Sequence, residues 1–282
     1  MKTVCLNGGT LRQGPQGTKL GPWLFILMID DINTSNTELW KYVDDTTDTT
    51  IAECVDKKKD SRIQSDVEEL ITKSNQNKFQ LNESKCKGLR NSFAKPAAVF
   101  APIVINGEAI EVVFIKFLDL NISSDLRWNC HVAEISKKVA SRLYFLRQLK
   151  RANIPAKYLL IFYLACIRPV MEYACPVFHN ALPAYLSAEL EQLQKRAMRI
   201  IFPFVPYRDA LHQANLETLS GRRQSITTKL FNSIICNSDH KLYELLPPRH
   251  SCESNLRRKR NFNVPLVKTK RLKNTFIYSN CN

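Results

Sequence analysis

The chain has 282 residues, 44% of them hydrophobic, which excludes a disordered tail and provides apolar mass for two structural units. Lys and Arg number 41 against 26 Asp and Glu, a formal +15 at pH 7 that favours a polyanionic partner through phosphate neutralisation and counterion release. Nine cysteines with no C-x-x-C pair read as free thiols of a reducing, intracellular compartment, nucleus or cytoplasm. Neither a run of roughly 18 apolar residues nor a signal-peptide core is found, so no membrane partner is expected.

In chain order, residues 1–10 are too short for a domain and run directly into a Gly/Pro-rich loop. Residues 22–32 carry Trp23, Leu24, Phe25, Leu27, Met28 and Ile32 after a Gly-Pro and predict a buried helix. Residues 39–43 predict a short strand and 46–52, rich in β-branched threonine, a second, so that the two flank Asp44-Asp45 as a hairpin. Apolar residues at 63, 67, 70, 71 and 79 predict an amphipathic helix over 56–79. A strand is expected over 89–93. Ile103-Val104-Ile105, Asn106-Gly107 and residues 109–113 form a strong hairpin signal, and residues 117–122 read as one further strand.

After Trp128 the pattern becomes helical. Val132, Ile135, Val139, Leu143, Leu146 and Leu149 mark a basic helix ending near Arg151; residues 158–170 are apolar on nearly every face, as in the buried helix of a bundle. Leu186, Leu190, Leu193, Ala197 and Ile200 mark a third helix, and residues 221–236 a fourth. The expected class is α+β, with a β-rich unit over 1–128 and a helical region over 129–236. A basic, loosely ordered tail over 237–282 follows, whose cations from Arg249 to Lys273 accompany the single acid Glu253.

Three groups of residues suggest chemistry. Asp44-Asp45 at a tight turn repel one another, and a divalent cation relieves that repulsion. Magnesium suits carboxylate and phosphate oxygens, and a pair of such ions about 4 Å apart can hold the attacking and leaving oxygens of a phosphoryl transfer. Tyr42 would place a ring beside the turn. Upstream, Gly14-Pro15-Gln16-Gly17-Thr18-Lys19-Leu20-Gly21-Pro22 allows close backbone approach to a ligand, with Gln16 offering donor and acceptor. Cys236, His240, His250 and Cys252 lie near one another but match no common zinc spacing.

Taken together, the Gly14–Pro22 loop, Tyr42-Val43-Asp44-Asp45 and Leu81-Asn82-Glu83-Ser84-Lys85-Cys86-Lys87 resemble three successive motifs of non-LTR retrotransposon reverse transcriptases. Lys116-Phe117-Leu118-Asp119-Leu120-Asn121-Ile122 resembles that family's primer-grip strand. The resemblance implies an incomplete polymerase palm, an antiparallel sheet with helices, followed by an all-helical thumb-like bundle. It implies Asp44 and Asp45 as metal ligands for Mg2+, or Mn2+, and Lys85 as the proton donor to pyrophosphate. Gly14, Pro15, Gln16, Gly17 and Tyr42 would line the substrate, and the partners would be an RNA template, a DNA primer and dNTP.

Residues 1–13 contain no Asp or Glu, although the family's palm has a further aspartate upstream of the loop. Losing one of three carboxylates misplaces the ions, so the polypeptide alone is expected to polymerise little. Its alternative role is a non-catalytic nucleic-acid-binding remnant held by basic residues.

Overall fold

The computed structural model describes residues 2–7, 38–42, 48–53, 62–76, 86–91, 101–249, 262–264, 266 and 269–281, with backbone only at 2–7, 38–42, 48–53 and 111. The chain folds as two compact units, Met1–Arg127 and Trp128–Asn282. The first combines sheet and helix and the second is helical, an α+β composition.

Unit 1 is built on five strands: β1 (Lys2–Asn7), β2 (Glu38–Tyr42), β3 (Asp48–Glu53), β4 (Lys87–Arg90) and β7 (Glu111–Val112), in the order β2-β3-β1-β4-β7. All pairings are antiparallel except β4 with β7. The first six described residues thus supply the central strand, where the sequence reading placed no element. Helix α1 (Ile63–Gln76) buries Ile63, Val67 and Leu70, the expected stripe. The Gln64 amide donates to the Val104 carbonyl and accepts from its N–H, both at 3.0 Å, and so ties α1 to a hairpin of β5 (Val104–Ile105) and β6 (Glu108–Ala109). Asn106 and Gly107 carry that turn with φ of 48° and 89°, as Asn-Gly hairpins require.

Residues 117–122 are not one strand. They belong to a hairpin of β8 (Phe114–Phe117) and β9 (Leu120–Ser123), which turns at Leu118 and Asp119 with φ of 46° and 61°. An ion pair of 2.7 Å from Lys116 to Asp119 holds the turn, so the charge at Asp119 belongs to a local turn and not to a primer-gripping strand. The α+β class stands, but these elements do not define a polymerase palm.

Unit 2 begins with α2 (Asn129–Arg151), which buries Val132, Ile135, Val139, Leu143 and Leu146 against the helices over Arg168–Glu172 and Ala184–Ile201. The next helical run comprises α3 (Ala156–Phe162), a π turn (Tyr163–Ile167) and α4 (Arg168–Glu172). Within it the Arg168 N–H reaches back to the Tyr163 carbonyl, and Pro169 brings no N–H, so the widened turn absorbs a proline that would break a regular helix. Arg142 of α2 donates to the Cys166 carbonyl in the same turn.

This run is not buried on nearly every face. It buries one stripe, Leu159, Tyr163, Ile167 and Met171, while Tyr158 and Ile161 are exposed. Among the described residues, Ala156–Ala181 has the length and apolar composition to cross a membrane. The helix ends at Glu172, however, and the chain turns through Ala174 at φ 49° into α5 (Cys175–Phe178). Arg168 and Glu172 form an ion pair within it, and its inner stripe belongs to the core of unit 2.

Helix α6 (Ala184–Ile201) runs along α2; α7 (Tyr207–Gln213) follows it, and α8 (Leu219–Cys236) packs on α5 and α6. The segment after residue 237, expected to be a loose tail, returns in its described parts to the fold. Phe262 and Cys281 are buried beside Phe231, and α10 (Phe276–Asn280), after the short α9 (Lys270–Lys273), sets Phe276 edge-on to Phe231 at 5.9 Å. Apolar residues at 262, 264, 276 and 277 outweigh the surrounding cations in deciding its place.

Candidate nucleic-acid interface

The charge is divided unevenly between the units. Trp128–Asn282 carries 25 Lys and Arg against 9 Asp and Glu, a formal +16; Met1–Arg127 carries the remaining 16 against 17, a formal −1. Any polyanion is therefore drawn to unit 2.

Helix α2 presents part of that charge in an ordered way. Its only acid is Glu134, against Lys137, Lys138, Arg142, Arg147, Lys150 and Arg151. Two of these turn inward to carbonyls, Arg142 to Cys166 and Lys150 to Ile201 at 3.3 Å, the latter satisfying the C-terminus of α6. Lys137, Arg147 and Arg151 are exposed. Residues 137, 144 and 151 are seven apart and lie within about 20° of one line along a helix, so Tyr144 stands between Lys137 and Arg151. Tyr144 is 54% exposed and Phe145 55%, with their rings in edge contact at 5.7 Å. On α6, Arg196 and Arg199 are also exposed, and Lys195 lies 5.4 Å over the Tyr207 ring.

Buried polar contacts join α6 to the π turn, to α7 and to the start of α8. Gln194, 1% exposed, accepts from the Tyr163 hydroxyl at 2.5 Å and donates to the Tyr207 hydroxyl at 2.9 Å and the Glu217 carbonyl at 3.1 Å. Tyr207 in turn donates to Glu191, whose carboxylate also accepts from the Leu219 and Ser220 N–H groups at the start of α8. Thr218 caps the same helix through the Gly221 N–H. Burial pushes the Tyr163 and Tyr207 hydroxyls well above the usual tyrosine range, the Glu191 hydrogen bond adding to it at Tyr207. Both therefore act as hydrogen-bonding groups and not as acids.

A second cluster surrounds Arg223, which is fully buried. Its Nη2 donates to the Ser187 hydroxyl at 3.0 Å, and its Nε faces His179 Nδ1 at 3.5 Å, while His179 Nε2 meets Gln224 Oε1 at 2.9 Å. That arrangement suits a neutral imidazole with its proton on Nε2. Burial, with the Arg223 charge beside it, holds His179 below the usual histidine range against the opposing hydrogen bond to Gln224. Burial likewise pushes the Cys175 thiol up to about 11, despite the pull of Arg223. Cys175 stays protonated near neutrality, which suits a packing residue and not a nucleophile. Glu172 stands 3.3 Å from Arg168 and 3.5 Å from Arg222, as ion pairs without hydrogen-bond alignment.

Gly14, Pro15, Gln16, Gly17, Asp44, Asp45 and Lys85 lie outside the described residues, and Tyr42 is described by backbone alone, as the end of β2 paired with Asp48. His250 and Cys252 also lie outside them. Among the described residues no three His, Cys, Asp or Glu side chains gather to hold a metal.

The fold and this surface define an α+β protein of two units, one nearly neutral and one strongly basic and helical. Residues 128–168, which span α2, α3 and the π turn, match the family model described as alkylated DNA repair protein alkB homolog 8, N-terminal. No curated protein and no solved structure matches the chain. The family match overturns the expectation of a retrotransposon reverse transcriptase, and with it RNA-directed DNA polymerisation, a DNA primer and dNTP. A Gly/Pro-rich loop, an Asp-Asp turn and a Lys-containing strand entry are each at home in ordinary turns, so matching letters there constrain chemistry weakly. Tyr144, Phe145 and Gln194 belong to no motif in the sequence; the seven-residue step from Lys137 through Tyr144 to Arg151 is a readable signal that sets a ring between exposed cations.

Proposed function

We propose that unit 2 is a nucleic-acid-binding module that engages the phosphate backbone through the exposed cations of α2 and its neighbours. The observation that carries this reading is the partition of charge, +16 in Trp128–Asn282 against −1 in Met1–Arg127. The family model matching 128–168 bears the name of an alkylated-DNA repair protein, which supports a nucleic-acid-directed role for the segment that carries Lys137, Arg147 and Arg151. The part-buried hydrogen bonds of Arg142 and Lys150 hold α2 against the π turn and the end of α6 before any ligand arrives, which lowers the entropic cost of binding.

The test is fluorescence anisotropy of the full chain with labelled RNA and DNA oligonucleotides across a salt series. Log affinity should fall linearly with log salt, and K137A/R147A/R151A should flatten the slope by about 2 to 3 through loss of three phosphate contacts. Asp44→Ala should leave affinity unchanged. Absence of binding at low salt, or an unaltered slope in the triple variant, would overturn the proposal.

A further inference from the structure

Phosphate contacts alone give no role to two half-exposed aromatic rings on a cationic helix. Tyr144 and Phe145 are exposed to 54% and 55%; Tyr144 lies on the outward line of Lys137 and Arg151, and Phe145 about 100° round the helix from it. They rest against one another edge to face, with 74° between the ring planes, so neither ring is sandwiched by the other. Leaving such rings in water has a cost that a ligand with free planar faces relieves. In a duplex those faces are hidden in the base stack, and a convex helix presents its rings to grooves and phosphates only. In a single strand the bases can splay outward and stack on an aromatic side chain while the backbone follows the flanking cations.

We infer that Tyr144 and Phe145 form a base-stacking platform, which makes the preferred ligand of unit 2 a single-stranded nucleic acid. This rests on the nucleic-acid reading of that unit. Lys137 and Arg151 lie about 10.5 Å to either side of Tyr144 along the helix axis, a spacing that lets one strand touch both cations and the platform. RNA and DNA share the chemistry, since each base presents a π face; a requirement for the 2′-hydroxyl separates them.

The experiment measures affinity of the full chain for a single-stranded RNA, the same sequence as single-stranded DNA, and the duplex of each, at one salt concentration. Y144A and F145A should each lower the ratio of single-strand to duplex affinity about tenfold, in line with the loss of one base-aromatic stack. Y144F and F145Y keep the rings and should keep the ratio, which separates stacking from any fault in folding. The wild-type slope with salt should persist in all four variants, because the cations are untouched. An unchanged ratio in both alanine variants, or a wild-type chain that binds duplex as tightly as single strands, would overturn the inference while leaving phosphate binding intact. Failure of every form to bind at low salt would instead overturn the underlying reading.

Discussion

Replacing Gln194 with leucine tests whether its amide organises unit 2. Leucine fills similar volume, so the loss is mainly of hydrogen bonds: one from Tyr163, one to Tyr207 and one to the Glu217 carbonyl. Tyr163 is fully buried and Gln194 1% exposed, so water does not readily replace the amide. A buried polar group left unpaired costs about 1 to 3 kcal/mol. Tyr207 keeps its bond to Glu191, leaving the Tyr163 hydroxyl and the Glu217 carbonyl as the main losses, about 2 to 6 kcal/mol together. That is a large share of the 5 to 15 kcal/mol typical of a domain. The assay is urea unfolding of the full chain, read by Trp128 in a background where Trp23 and Trp40 are phenylalanine. Trp128 is buried and stacks near His131 and Phe178 at 5.9 and 5.8 Å, so its emission reports unit 2. Adding Tyr163→Phe removes the orphaned hydroxyl and should recover at least 1 kcal/mol of the loss. A loss below about 1 kcal/mol for Gln194→Leu, or strict additivity in the double variant, would refute the reasoning.

Other outcomes follow from the same geometry. His179 has its folded pKa below its unfolded value of about 6.5, so the unfolded chain binds the extra proton first. Stability should then fall as pH drops from about 6.5 towards the folded pKa and level off below it, and comparing wild type with His179→Gln in denaturant midpoints at several pH values should isolate this component. Ala174 sits at φ 49°, where glycine is unstrained, and Ala174→Gly should raise stability by about 0.5 to 1 kcal/mol, seen as a higher melting temperature. Arg142→Met should cost about 1 to 2 kcal/mol by leaving the Cys166 carbonyl of the π turn without its donor, with faster amide exchange over residues 163–171 as the readout.

Long amphipathic elements were legible because burial imposes a period. The buried stripes of α1, α2 and α6 are legible, α2 up to its end at Arg151, whereas the helix expected over 56–79 is described over Ile63–Gln76; the Asn106-Gly107 turn follows from the positive φ that it requires. The β8–β9 hairpin was not, because Leu118 and Asp119 occupy left-handed positions without a Gly-containing turn sequence to announce them. Uniform apolarity concealed which face of residues 156–172 turns inward; neighbouring helices made that choice. The Gln194 network joins residues 13, 23 and 31 positions apart, and the pairing exists only once α3, α6 and α7 have packed. Motif letters attracted attention to residues 14–17, 44, 45 and 85, whereas the described surface places its cations and rings on α2.

Concentrating the excess charge in 155 residues has a thermodynamic consequence. Sixteen uncompensated positive charges repel one another inside one compact body and oppose its compaction, most strongly at low ionic strength. A polyanion that prefers the folded unit then acts as a stabilising ligand, and heat should unfold the two units along different paths: polyphosphate should delay melting of the basic unit while the nearly neutral one melts where it did before.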